Sequence, residues 1–208
     1  MPKILYIEAR KKLKLNKELV KELAGGLPNT IYLAYSIQYK KLAEELKKEL
    51  AKSRTIKIHG SSQVLGCSKL KTSTPILLIG SGRFHALNLA LSSQKEVFIF
   101  DNYSISKIGK EEIEQEQRKE KGNYLKFLAS KEIGILVSTK SGQQNLSLAL
   151  KLKDKLKKQG KNPFLFLSDN INIQELENFP IDLWINTACP GISLDSPRII
   201  DSRNLEKL

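Results

Sequence analysis

Two cysteines, two histidines and two loops rich in glycine and hydroxyl groups are the residues of this chain whose chemistry could amount to a site. Cys189 lies in the stretch Leu183-Trp-Ile-Asn-Thr-Ala-Cys-Pro-Gly-Ile192. Its apolar opening predicts a buried strand that stops at Asn186 and Thr187. Cys189 then stands at the strand's exit, and Pro190-Gly191 turns the backbone. In an open α/β sheet, ligands collect just beyond the carboxyl ends of the strands, so a thiol there is rigidly held and faces the crevice. Most free cysteines are instead small packing residues. Cys67 closes a second short motif, Gln63-Val-Leu-Gly-Cys67. Two cysteines are no disulfide framework; they are either unrelated or ligands. Zinc would need about four donors, and Cys67, Cys189, His59 and His85 could just supply them, but no pair has chelate spacing.

The first loop is Gly80-Ser81-Gly82-Arg83-Phe84-His85, which follows a continuous apolar run. Strand, Gly-x-Gly turn and helix start together expose backbone N–H groups suited to an anion. Asp101 closes the next predicted strand, where a ribose-binding carboxylate would stand. The third glycine of the dinucleotide fingerprint is absent, and a ligand-free tight turn fits the same residues. The second loop is Ser138-Thr139-Lys140-Ser141-Gly142-Gln143. Its hydroxyls, lysine and amide suit a carboxylate or phosphate, although a plain helix cap would also use Ser or Thr here. His85 adjoins the first loop, whereas His59 has the context of an exposed strand residue. No nucleophile elbow and no His-Glu-x-x-His pair is present.

These residues need a scaffold that delivers them to one edge, and the pattern of the chain predicts one. Strands are expected at Lys3–Glu8, Thr30–Tyr35, Thr55–His59, Pro75–Ile79, Val97–Phe100, Ile133–Ser138, Pro163–Leu167 and Leu183–Ile185. Helices are expected at Leu15–Ala24, Ile37–Lys52, Ala86–Ser92 and Lys110–Leu128, then from the end of the Thr139–Gln143 loop to about Lys158, and at Ile173–Glu177. Gly60-Ser61-Ser62 reads as a turn. Alternating strands and helices imply parallel sheets with right-handed crossovers. The fold class is α/β, with two similar small parallel-sheet domains and helices on both faces. The first domain, residues 1–109, carries Cys67 and the Gly80 loop. The second, 110–208, opens on a charged connecting helix and carries the Ser138 loop and Cys189.

The totals narrow the class. The chain has 208 residues, 40% hydrophobic and 27% charged, which is ordinary globular composition. No apolar run approaches the roughly 20 residues of a membrane span, and the start has no signal-peptide core, so a cytoplasmic protein is expected. The net charge of +13 favours polyanionic partners, an RNA or an acidic protein face. With only 7% aromatic residues and no RNA-binding signature, lysines on solvated helix faces account for the charge equally well.

Four motifs occur in order along the chain: Gln63-Val-Leu-Gly-Cys67, Gly80-Ser-Gly-x-Phe-His85, Val137-Ser-Thr-Lys-x-Gly-Gln143 and Asn186-Thr-Ala-Cys-Pro190. Together they resemble the diphthamide synthesis family of 3-amino-3-carboxypropyl transferases, which modify a histidine of translation elongation factor 2. The likeness runs from Ile4–Glu8 to Asp195. It implies a noncanonical radical S-adenosylmethionine enzyme, in which three similar α/β domains each give one cysteine to a 4Fe-4S cluster. Reductive cleavage of S-adenosylmethionine there yields a 3-amino-3-carboxypropyl radical that adds to the imidazole carbon of the target histidine. Carried over, Cys67 and Cys189 are cluster ligands. Gly80, Ser81, Gly82 and His85 line the cofactor pocket from one loop. Ser138, Thr139, Lys140, Gly142 and Gln143 line it from the other. No side chain is assigned a catalytic role.

The chain resembles the family's second and third domains. The resemblance therefore implies a separate partner chain bringing the first domain and the third cysteine, or a homodimer. It differs from the family at Gly191, where arginine is common, and at Ala86, where proline is frequent. Two other readings stand beside a split synthase. One is an accessory subunit that only binds its partner or the elongation factor. The other is an unrelated nucleotide-binding α/β protein using the Gly80 loop and Asp101.

Overall fold

The computed structural model describes residues 7–52, 56–194 and 196–205. The chain divides into two compact units, Met1–Ile113 and Glu114–Leu208. The expected strand Lys3–Glu8 lies outside the described residues as far as residue 6, as does Thr55 at the expected start of another.

In the first unit, helix α1 (Lys17–Gly26) opens on Asn16, whose side chain accepts from the N–H groups of Glu18 and Leu19. Strand β1 (Thr30–Tyr35) and a 3-10 turn (Ile37–Tyr39) lead into helix α2 (Lys40–Lys52). Leu42, Leu46 and Leu50 recur at helical spacing, and all three are buried. Strand β2 (Lys57–Gln63) runs straight through Gly60-Ser61-Ser62, correcting the expected turn. The pairing of β1 with β2 shifts register after Ile31, and the Tyr32 ring then lies on Gly60. A Cβ at Gly60 would come 2.6 Å from Tyr32 Cε2, so this glycine makes room for a ring rather than for a reversal.

Strand β3 (Ile76–Ile79) is buried throughout, and helix α3 (Arg83–Ser93) begins three residues earlier than its apolar pattern predicts. Strand β4 (Val97–Phe100) pairs in parallel with β3, and the short strand β5 (Ile105–Lys107) turns back antiparallel to it. The five-stranded order is β2-β1-β3-β4-β5. Leu77 and Ile79 pack into the core under α1 and α2, while Ile76 and Leu78 pack under α3. A strand buried on both faces reads as an unbroken apolar run for this reason. Helix α4 (Lys110–Ala129) starts here, with Ile113 against the α3-side core.

Further along α4, Phe127 is buried and Tyr124 packs beside it in the core of the second unit. Strand β6 (Glu132–Ser138), helix α5 (Leu146–Lys158), strand β7 (Asn162–Ser168) and short helix α6 (Ile173–Leu176) follow. Then come strand β8 (Leu183–Asn186), short helix α7 (Gly191–Leu194) and strand β9 (Ile199–Asp201), which the sequence pattern did not predict. The order is β7-β6-β8-β9, parallel throughout. Pro163 is tolerated because β7 is an edge strand. With β5 set aside, both units order their strands as second, first, third, fourth. The α/β class with mostly parallel sheets is as expected. Among the described residues, no helix is long and apolar enough to cross a membrane.

On β6, Gly134 faces Trp184 of β8, and a Cβ there would overlap the indole ring. Trp184 is only 1% exposed and cannot move aside. Gly134→Ala is expected to cost about 1–3 kcal/mol by overpacking, read as a lower urea midpoint for the transition followed by Trp184 fluorescence.

Candidate functional site

Parallel strands send all their carboxyl ends to one edge of a sheet, and the candidate residues collect along that edge in each unit separately. In the first unit the chain passes from β1 outward to β2 and then back across β1 to β3. That reversal of strand order is where open α/β sheets bind ligands. The Gly80 loop stands at this point: the Ser36 amide donates to the Ile79 carbonyl (3.2 Å), and that of Gly80 to Phe100 (3.1 Å). Ser36 Oγ lies 3.3 Å from where a Gly80 Cβ would be.

Cys67 is exposed at the tip of a tight turn. The Ser68 amide donates to the Leu65 carbonyl (3.0 Å), and the Leu65 amide to Ser68 Oγ (2.8 Å). Gly66 lets two rings close on this turn. A Cβ there would lie 2.7 Å from Phe84 Cε1 and 3.3 Å from His85 Nε2. Across the imidazole, a Cβ at Gly82 would lie 2.5 Å from His85 Nδ1. His85 thus fills the space between the Cys67 turn and the Gly80 loop, and burial pushes its pKa below the usual histidine value. The structure therefore brings Cys67, Gly82 and His85 into one neighbourhood, which sequence reasoning assigned only loop by loop.

Arg83 and Asp101 are engaged elsewhere, and His59 lies apart. The Arg83 guanidinium leaves the loop to grip Glu112 through Nε (2.8 Å) and Nη2 (2.5 Å). That contact and the Gly109 amide hold the Glu112 carboxyl below its ordinary range. Asp101 Oδ1 accepts from the amides of Tyr103 (2.9 Å) and Ser104 (2.8 Å), so the expected ribose carboxylate instead caps the β4–β5 turn. His59 is exposed on edge strand β2, away from the Gly80 loop.

In the second unit the strand order reverses between β6 and β8, so the Ser138 loop and the Cys189 loop leave neighbouring strands. Ser138 is buried, and its Oγ accepts from the Lys140 amide (3.2 Å). The Gln143 amide closes a turn onto the Lys140 carbonyl (3.0 Å), with Gly142 at φ +79°, a region glycine enters without steric cost. The Thr139 hydroxyl donates to Asp169 at the end of β7, a partner the sequence did not reveal. Ser141 and Lys140 are exposed.

Thr187 anchors the Cys189 loop from below: its amide (3.1 Å) and its Oγ1 (2.7 Å) both donate to the Leu136 carbonyl. Asn186, 1% exposed, donates through Nδ2 to the Cys189 carbonyl (2.7 Å) and accepts from the Ala188 amide (2.9 Å). The Ile192 amide also reaches the Cys189 carbonyl (3.1 Å). The backbone at Cys189 is tied down while its thiol is half-buried and free of disulfide.

Helices α3 and α5 share a feature. Neither Gly82 nor Asn145 caps its helix with a side chain, whereas Asn16 and Asn172 do so for α1 and α6. The first-turn N–H groups of α3 and α5 are thus without a side-chain cap beside the two loops. Among the described residues, no three His, Cys, Asp or Glu side chains come together to hold a metal ion.

The family model described as "Putative diphthamide synthesis protein" matches residues 1–202. The chain belongs to this family. A curated relative from Pyrococcus horikoshii, named 2-(3-amino-3-carboxypropyl)histidine synthase, is 35% identical over 67% of this chain and 41% of its own. The protein of the same name from Methanocaldococcus jannaschii is 33% identical over 84% of this chain and 48% of its own. The crystal structure of Dph2 from Pyrococcus horikoshii with a 4Fe-4S cluster superposes with a TM-score of 0.78 at 30% identity, covering 92% of this chain and 60% of that one. The chain thus spans less than half the length of these curated relatives.

Because the fold disfavours protonated His85, its contribution to stability is intact above the ordinary value of 6.5 and is lost as pH falls through the lower folded value. The urea midpoint of the first unit is expected to drop as pH is lowered from about 7 to 5, and His85→Gln to flatten that segment of the profile.

Proposed function

We propose that this chain supplies two of the thiolate ligands of a 4Fe-4S cluster in a 2-(3-amino-3-carboxypropyl)histidine synthase. The donor is S-adenosylmethionine, and the acceptor is a histidine of translation elongation factor 2. The observation that carries the reading is one free cysteine, in each unit, on a loop leaving the carboxyl edge of a parallel sheet. Thiolates are the donors such clusters take, and both loops are anchored through backbone groups that leave the sulfur unused. Cys67 and Cys189 would hold the cluster. When bound, it supplies the electron for reductive cleavage of the donor's sulfonium bond.

The remaining residues bind and orient. The N–H groups at the start of α3, with Gly80, Ser81 and Gly82, suit the donor's carboxylate. Lys140 adds a mobile positive charge beside the start of α5, and Thr139, Gly142 and Gln143 offer polar groups to the ribose. Ser138 shapes its loop from within, since its hydroxyl already accepts the Lys140 amide. His85 packs between the Cys67 turn and Gly82 and keeps water from that gap. A third thiolate comes from a partner chain or a second copy. The surplus of +13 suits docking of an acidic face of the elongation factor.

Anaerobic iron–sulfur reconstitution, alone and with the candidate partner, followed by transfer onto elongation factor 2, tests the proposal. A 4Fe-4S spectrum with the partner is expected. Cys67→Ser and Cys189→Ser should each lower transfer by more than the roughly 10–100-fold that losing a supporting group costs a metal site. Failure of both preparations to form a cluster overturns the reading. Unchanged transfer in both serine variants would instead identify an accessory subunit.

A further inference from the structure

In each unit an asparagine amide from the helix after the glycine- or hydroxyl-rich loop is spent on the loop that carries the cysteine. Asn88, in the second turn of α3, donates through Nδ2 to the Gly66 carbonyl (2.8 Å), the residue before Cys67. Asn145, at the start of α5, donates through Nδ2 to the Thr187 carbonyl (2.7 Å), two residues before Cys189.

Asn145 makes a choice that isolated helix physics disfavours. Asparagine at this position ordinarily accepts from the helix's first N–H groups, which stabilises it by about 0.5–2 kcal/mol. Here the side chain makes no such bond, and the backbone departs from the extended geometry seen at Asn16 and Asn172. The amide reaches instead to a strand-end loop 42 positions away in sequence. Asn88 likewise reaches across 22 positions rather than into solvent. Both asparagines follow the loop proposed to contact the donor, and both grip the loop proposed to contact the iron.

We infer that Asn88 and Asn145 are positioning residues, each locking a cysteine loop to the helix behind the donor-binding loop of its own unit. The inference rests on the ligand role proposed for Cys67 and Cys189. A thiolate held this way keeps its place before metal arrives, and its loop cannot shift without shifting the donor loop. In unit one, Asn88 acts with the Leu65–Ser68 turn. In unit two, Asn145 acts with Asn186 and Thr187, so Thr187 is held at its amide, hydroxyl and carbonyl at once.

Aspartate separates positioning from helix stability. It matches asparagine in shape and caps a helix equally well, but it has no N–H to give a carbonyl. Amide hydrogen exchange is measured on the metal-free, full-length chain for wild type, Asn88→Asp and Asn145→Asp. In Asn88→Asp the Ser68 amide is expected to exchange roughly two- to tenfold faster, the range of one net hydrogen bond, with the Thr187 and Ile192 amides unchanged. In Asn145→Asp the Thr187 and Ile192 amides accelerate by a similar factor and Ser68 does not. Asn88→Ala and Asn145→Ala, which bring no new charge, should repeat the pattern. Unchanged loop exchange in both pairs overturns the inference. Acceleration spread through β3 and β4, or through β6 and β8, also overturns it, because the residues would then support only the fold. Iron uptake of each variant with the partner, relative to wild type, should fall in step with the local exchange. The exchange result stands without iron, so a wild type that forms no cluster defeats the functional reading alone.

Discussion

Parallel strand pairing is the constraint on which this protein is built. A parallel ladder aligns every strand in one direction, so every loop leaving a strand emerges at the same edge. Five strands in one unit and four in the other meet this condition, apart from β5. The order adds a second consequence. The chain starts inside each sheet, lays its next strand on one side and then crosses to the other, so the loops of the first and third strands leave on opposite sides of the reversal in strand order, where open α/β sheets place ligands. Ser36 and Gly80 follow those two strands in the first unit, and Ser138 and Asn186 end them in the second.

The two units share strand order but do not place their cysteines alike. Cys67 follows the second strand of its sheet, β2, whereas Cys189 follows the third, β8. The segment after β2 has no helix and must return to the foot of β3, so it arches over the end of β1. That arch brings the Cys67 turn against Phe84 and His85 at the start of α3. In the second unit the return from β7 contains α6, and the thiol rides directly on the exit of a central strand. An exposed thiol and a half-buried one follow from these different routes.

Strands buried on both faces and helices with a leucine stripe were legible in the sequence, because burial dictates their composition. β1 and β4 fall on their expected residues, and α2, α5 and β8 on most of theirs. β5 and β9 were not legible: each has three residues, too few to establish a period, and each depends on a neighbouring strand for its shape. Gly60 was misread because glycine followed by two serines signals a turn, while the actual requirement comes from Tyr32 on another strand. The two cysteines and two loops were legible as motifs. Their supports were not. Asn145 has the sequence signature of a helix cap, and only the folded chain reveals that its amide is used elsewhere. Asp169 and Asn88 carry no local signal, since their partners lie 30 and 22 positions away.

The polar groups at the rim explain how a site edge can be both wet and fixed. Asn186, Thr187 and Ser138 are buried at the end of a largely apolar sheet, and an unpaired polar atom there would cost about 1–3 kcal/mol. Among the described residues, no buried side-chain nitrogen or oxygen lacks a partner. The pairing partners are mostly backbone carbonyls and amides of the same loops, so satisfying the buried groups also sets loop conformation. Desolvation and positioning are thus one requirement. A change that frees Asn186 from the Cys189 carbonyl would strand a buried amide as well as loosen a thiol, and the fold resists it on the first count before function is lost on the second.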